Sequence, residues 1–160
     1  MLICATMNAN TIFGGAGMIS QAMQTSYELR PQQIEMAEAV EKALETKTHL
    51  IVEAGTGVGK SLAYLIPAIL FAVRHRRKAV VSTHTINLQE QLTEKDLPML
   101  EKVLPVQFRF TMLKGRQNYL CTRRLHKALQ QADHLFTSPE TQELQRIYEW
   151  SKQTTDGSLS

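Results

Sequence analysis

Cysteine is nearly absent from this chain: Cys4 and Cys121 are the two it has, too few for a disulfide framework and too far apart to form a metal site by themselves under the usual ligand spacings. Long apolar runs are missing as well. The longest, Leu62 to Val73, contains Tyr64 and Pro67 and falls well below the roughly 18 residues needed to span a bilayer, so it predicts a buried helix and no membrane partner. Charged side chains are missing from residues 1–27, where Gly14-Gly15-Ala16-Gly17 interrupts the pattern. That segment is either a loosely ordered start or a piece packed on the main domain. It lacks the basic n-region of a signal peptide, so a cytoplasmic location is expected.

With 160 residues, 43% of them hydrophobic, the chain is the size of about one domain with a real core. Its formal charge of +3 is a mild bias that identifies no partner by itself. The rest is organised around His49-Leu50-Ile51-Val52-Glu53-Ala54-Gly55-Thr56-Gly57-Val58-Gly59-Lys60-Ser61, a β-type apolar run, a glycine-rich turn, and Lys-Ser opening a helical pattern. This reads as a phosphate-binding loop. Gly55, Gly57 and Gly59 allow backbone N–H groups to turn toward phosphate oxygens, and the following helix N-terminus adds its positive dipole end. Lys60 would neutralise the β/γ-phosphates, and the Ser61 hydroxyl would ligate the accompanying Mg²⁺. The competing reading, a glycine-rich hairpin, does not account for the strand-like and helical flanks.

Pro31 suits a helix first turn, and Ile34, Ala37, Val40 and Leu44 then share one face, predicting a helix from Pro31 to about Glu45 with Glu35, Glu38, Glu41 and Lys42 in water. The helix from Lys60 to about Arg74 is apolar nearly all round and must be covered. Arg74 to Lys78 is a basic run, read as a solvated helix end favoured by the dipole in preference to a phosphate contact. A second strand is expected at Ala79 to Thr83, a helix from Thr85 to about Pro98, a short one to Leu104, and a third strand at Gln107 to Leu113. Strand, helix, strand, helix, strand predicts an α/β fold: a parallel sheet with flanking helices and the phosphate loop at the carboxyl end of its first strand. Beyond it, Lys114 to Lys127 is basic, helices are expected near 118–131 and 139–151, and residues 153–160 read as a polar loop.

Four segments carry a family resemblance: Tyr27-Glu28-Leu29-Arg30-Pro31-Gln32-Gln33, the loop from Glu53 to Ser61, Ser82-Thr83-His84-Thr85-Ile86-Asn87-Leu88-Gln89-Glu90-Gln91-Leu92, and Leu113-Lys114-Gly115-Arg116-Gln117-Asn118-Tyr119-Leu120-Cys121. Together, and in this order, they resemble the DinG/XPD-like superfamily 2 DNA helicases. The resemblance implies a RecA-like P-loop NTPase domain that binds ATP and Mg²⁺ and acts on single-stranded DNA. It implies further that Arg30 and Gln33 form a Q-motif whose Gln meets the adenine edge, with Tyr27 near the base, and that Glu53, Ala54, Gly55, Thr56, Gly57, Val58, Gly59, Lys60 and Ser61 form the phosphate loop. Thr83, His84, Thr85, Asn87 and Gln89 match motif Ia, which holds the phosphates of the DNA strand. A helix cap at Thr83 or Thr85 is compatible with that role, since both use the same helix end. Cys121 matches the first of four cysteines holding a 4Fe–4S cluster; the other three have no counterpart here, so no cluster is expected in this chain alone.

The departures from the family are specific. A helicase ATPase needs a carboxylate pair after an apolar strand, one for Mg²⁺ and one to position water. The aspartates here are Asp96, Asp133 and Asp156, and none follows such a strand with a Glu beside it. The expectation is therefore an N-terminal fragment: an uncharged segment at 1–26, a partial first motor domain at 27–113, and the beginning of an iron–sulfur-type helical insertion at 114–160. The parent activity would be ATP hydrolysis coupled to 5′→3′ movement on single-stranded DNA; the alternative is a nucleotide- and DNA-binding module without turnover.

Overall fold

In the computed structural model, which describes residues 7–23, 28–132 and 137–158, the described part of the uncharged start, residues 7–23, is packed. Asn8 and Thr11 cap α1 (Ala9–Phe13) reciprocally: the Thr11 N–H donates to Asn8 Oδ1 at 2.9 Å and the Asn8 N–H to Thr11 Oγ1 at 3.0 Å. With α2 (Met18–Met23) it sends Ile12, Phe13 and Ile19 into the same core as the central helices, fully buried. Each such side chain contributes about 1.5–3 kcal/mol of apolar transfer. Residues 9–23 therefore take the packed alternative.

The chain divides into two compact units, Met1–Met112 and Leu113–Ser160. In the first, α3 (Pro31–Thr46) begins with Pro31, whose fixed φ and missing N–H suit a first turn, and ends where Lys47 adopts φ 56° and returns its N–H to the Ala43 carbonyl. Ala37 is buried, and Ile34 packs at the edge of the core. Against α3 lies α4 (Lys60–His75), which buries Ala63, Leu65, Ile66, Pro67, Ile69 and Leu70 and so is covered around most of its circumference. Glu41, expected in water, faces α4 instead, 3.9 Å from Arg74. The basic run divides accordingly. Arg74 binds Glu45 at 2.6 Å and His75 Nε2 stands 3.2 Å from the same carboxylate, while Arg76 closes the helix in the left-handed region.

The helix expected to stop near Pro98 does not stop. It runs through α5 (Ile86–Gln91), a π-turn (Leu92–Asp96) and α6 (Leu97–Val103). The π-turn explains how: the Leu97 N–H reaches back five residues to the Leu92 carbonyl, and this wider turn accommodates the proline ring and its missing N–H just beyond.

The expected parallel sheet is not formed among the described residues. No β-ladder is present among the described residues of the first unit: 48–55, 77–84 and 107–112 are non-helical but unpaired. Ile51 is 97% exposed and Val80 89%, whereas a parallel-sheet strand is buried on both faces. The strand-type pattern is there; the lateral partner that would satisfy its backbone groups is not.

In the second unit, an antiparallel bridge joins Tyr119 to Ser158, with the Leu120 N–H donating to the Gly157 carbonyl at 2.8 Å. The polar tail thus closes back on the basic segment. Lys114 is buried, its Nζ donating to Ser158 Oγ at 2.9 Å and its backbone N–H to Tyr119 Oη at 2.9 Å. This pairing holds Tyr119 extended and delays the helix expected from Asn118: after a 3₁₀ turn at Arg116–Asn118, α7 spans Thr122–Gln130. It packs on α8 (Ser138–Ser151), whose start is fixed by a capping box between Thr137 and Glu140. Among the described residues no helix is long and apolar enough to cross a membrane.

Candidate nucleotide-binding site

The loop before α4 takes its shape from two glycines. Gly57 and Gly59 have φ of 81° and 83°, which side-chain-bearing residues rarely adopt, and a Cβ on Gly59 would stand 2.1 Å from Gln33 Nε2. Both reasons act at Gly59. Its carbonyl receives the Gln33 amide at 2.9 Å and also the Ala63 N–H of the first turn of α4 at 3.3 Å. Arg30, the residue before α3, donates through Nη1 to the Gly57 carbonyl and through Nη2 to Glu28 at 3.0 Å. Two residues far back in the sequence are thereby brought onto the loop. Gln33 is 4% exposed, so its amide is held by the fold and does not merely solvate a helix start.

Lys60 folds over the same loop, donating to the carbonyls of Ala54 at 3.0 Å and Gly55 at 2.8 Å. Glu53, Gly55, Thr56 and Gly57 are exposed; Ala54, Val58 and Gly59 are half-buried. Ser61 is half-buried on the first turn of α4, and Tyr64 follows one turn on. Burial pushes the Tyr64 phenol above its ordinary range, opposed by the neighbouring Ser61 hydroxyl and helped by the negative charge of Asp96. An ammonium, a hydroxyl and a glycine-shaped backbone cradle are what nucleotide phosphates and a divalent cation require, so these residues fit that pair of ligands.

Thr83 and Thr85 sit where α5 begins. Thr83 Oγ1 donates to the Thr85 carbonyl at 3.1 Å, and Thr85 caps the helix by accepting the Leu88 N–H at 3.3 Å. His84 and Asn87 are exposed there, and Gln89 is half-buried on the following turn. Cys121 is exposed at the N-terminus of α7, where the backbone N–H of Arg124, then that of Arg123, and the charges of both side chains hold its thiol below the usual range. Among the described residues no group of three or more His, Cys, Asp or Glu is placed to hold a metal ion. Tyr27 lies outside the described residues.

Residues 31–157, from the start of α3 to the closing bridge, match the family model described as DEAD/DEAH box helicase. The chain belongs to the DEAD/DEAH box helicase family. It is 43% identical over 144 residues to an ATP-dependent helicase DinG of Mycobacterium tuberculosis (strain ATCC 25177 / H37Ra), covering 80% of this chain and 22% of that protein. It is 40% identical over 149 residues to an ATP-dependent DNA helicase YoaA of Haemophilus influenzae, covering 93% of this chain and 22% of the relative. A Bacillus subtilis protein named 3′-5′ exonuclease DinG is 31% identical over 147 residues, covering 92% of this chain and 16% of its own length. The chain spans about a fifth of the length of these curated relatives. Membership in this helicase family carries the P-loop NTPase class of fold with it, and the resemblance read from the four sequence segments holds.

Reading the sequence did not single out Tyr64 or Asp96. A signal existed for the first: Ser61 and Tyr64 are three apart on a helix and so share a face. Asp96 carried none, because its approach to α4 depends on the π-turn.

Proposed function

We propose that this chain carries the ATP-binding and strand-gripping part of a DinG-type DNA helicase that couples ATP hydrolysis to 5′→3′ movement on single-stranded DNA in the cytoplasm. The observation that carries the reading is the convergence of Arg30 and Gln33 on the loop carbonyls of Gly57 and Gly59, since a nucleotide site needs base-side and phosphate-side groups in register. Residues 53–61 would hold the phosphates, Lys60 neutralising charge and Ser61 ligating Mg²⁺; Gln33 would meet the adenine edge, with Arg30 and Tyr27 beside it. Thr83, His84, Thr85, Asn87 and Gln89 would hold phosphates of the DNA strand without reading its sequence. The partition into residues 1–26, 27–113 and 114–160 belongs to this reading. So does a parallel sheet in which 50–52, 79–83 and 107–113 pair within a longer chain, and so does Cys121 as one of four ligands of a 4Fe–4S cluster there. A bound nucleotide supplies the phosphoanhydride to be cleaved; the residues here bind, orient and neutralise it.

A second reading, a nucleotide- and DNA-binding module without turnover, is favoured for the isolated chain by one observation: no aspartate follows an apolar strand-like run with a glutamate beside it. One experiment separates the two. ATP binding and phosphate release are measured on the chain and on Lys60→Ala, with and without single-stranded DNA. Binding that depends on Lys60 without phosphate release supports the module; DNA-stimulated release abolished by Lys60→Ala supports the helicase reading in this chain itself. Equal binding by wild type and Lys60→Ala removes the site from 53–61.

A further inference from the structure

The glycine loop carries cationic side chains held in different ways. The Lys60 ammonium lies on the Ala54 and Gly55 carbonyls and donates to both. The Arg30 guanidinium comes from outside the loop, from the residue before α3, and donates through Nη1 to the Gly57 carbonyl. Its other terminal nitrogen, Nη2, meets a Glu28 carboxylate oxygen at 3.0 Å. One arm of the fork is thus fixed to the loop and the other already holds an oxyanion. The two arms differ in permanence. The Gly57 contact is with backbone whose φ of 81° only a glycine adopts readily, whereas the Glu28 side chain is 75% exposed, in an ion pair of the kind that contributes little in water. To a guanidinium, carboxylate and phosphate are alike: both present paired oxygens that share negative charge to its planar N–H groups.

We propose that Arg30 is a phosphate-binding residue of this loop and Glu28 its built-in competitor: the phosphate chain of a nucleotide displaces the Glu28 carboxylate from Nη2 while Nη1 stays on the Gly57 carbonyl. This rests on the nucleotide-site reading given above, and within it moves Arg30 from the base to the phosphates. A guanidinium suits the task, because its fixed fork holds a backbone carbonyl and an oxyanion at once, which a single ammonium point charge does with less precision. One anion leaves Arg30 as another arrives, and Glu28 goes to solvent.

The test is displacement of a fluorescent ATP analogue from the full chain by ATP and by tripolyphosphate, which has the phosphates and no base. Arg30→Ala is expected to weaken both competitors by the same factor, about threefold to tenfold, the worth of one charge-assisted hydrogen bond at a partly exposed site. Arg30→Lys is expected to recover part of that loss. Glu28→Gln keeps the shape of the side chain and removes the competing charge, so it is expected to tighten both competitors by about 1.5-fold to threefold at low salt and less at high salt. A role for Arg30 in loop shape alone does not produce that tightening. Weakening of ATP by Arg30→Ala with tripolyphosphate unchanged assigns Arg30 to the base and overturns the inference. Unchanged or weaker binding in Glu28→Gln also overturns it, and this arm holds even where Arg30→Ala does not fold. In both cases Lys60-dependent ATP binding stays intact. A wild-type chain from which neither ATP nor tripolyphosphate displaces the analogue overturns the nucleotide-site reading and this inference together.

Discussion

The helical part of the first unit and its three strand-type segments share one chain and differ in where their backbone hydrogen bonds can be made. In α3 and α4 every interior N–H finds its acceptor a turn away, so each helix forms from local sequence, and packing of Ala37, Ala63, Ile66 and Leu70 then joins them. The segments around Ile51 and Val80 have the β-type side chains but need a neighbour to bond to, and both residues stand almost wholly in solvent. Apolar pattern alone therefore makes a helix and does not make a sheet. The glycine loop at 53–61 lies at the boundary: it follows one such segment, yet it is held from the start of α3 through Arg30 and Gln33.

The sharpest way to break this comparison is to remove one large side chain from each region. Phe13→Ala is expected to cost about 3–5 kcal/mol in urea unfolding, since it empties a fully buried site. Ile51→Ala is expected to stay within about 0.5 kcal/mol. A loss at Ile51 as large as at Phe13 would show that the segment is buried after all. A smaller effect separates two glycines of the loop. Gly59→Ala puts a Cβ into the Gln33 amide at a left-handed backbone position and is expected to cost about 1–3 kcal/mol and to weaken nucleotide binding. At Gly55 a Cβ meets nothing within 4 Å, so Gly55→Ala should be nearly neutral in the same unfolding assay. Equal losses at both positions would mean that the Gln33 contact does not shape the loop.

Much of this was legible in the residues. Helix α3 was visible in the spacing of Ile34, Ala37, Val40 and Leu44 after Pro31, and α4 in an apolar run too short for a membrane, because helical periodicity and end signals are local. The glycine-shaped loop at 53–61 was visible for the same reason: a glycine pattern and Lys-Ser are contiguous. The course of residues 86–103 was not, since Pro98 signals a stop and only the π-turn, a tertiary accommodation, cancels it. Burial of Lys114 was hidden too, because it depends on Ser158 coming back 44 residues later. The packing of the π-turn on α4 joins two elements that no single segment specifies.

The smallest expected effect lies at the far end of the helix pair and asks whether its ion pairs add to what apolar packing already does. Glu45 is held below the ordinary carboxylate range, first by the hydrogen bond from His75 and then by the His75 and Arg74 charges, against a modest desolvation. A carboxyl whose folded-state pKa is depressed binds a proton more readily when unfolded, so its stabilisation is fully present above the unfolded value near 4.5 and is lost as pH falls through the lower folded value. The pair is largely in water, and its contribution should shrink as salt is raised. Melting followed from pH 6 down to about pH 3 should therefore fall slightly less steeply for Glu45→Gln than for the wild-type chain, at low salt only. Identical slopes at low salt would mean that the α3–α4 pair is held by its apolar face alone, and the contrast with the unpaired segments would then rest entirely on burial.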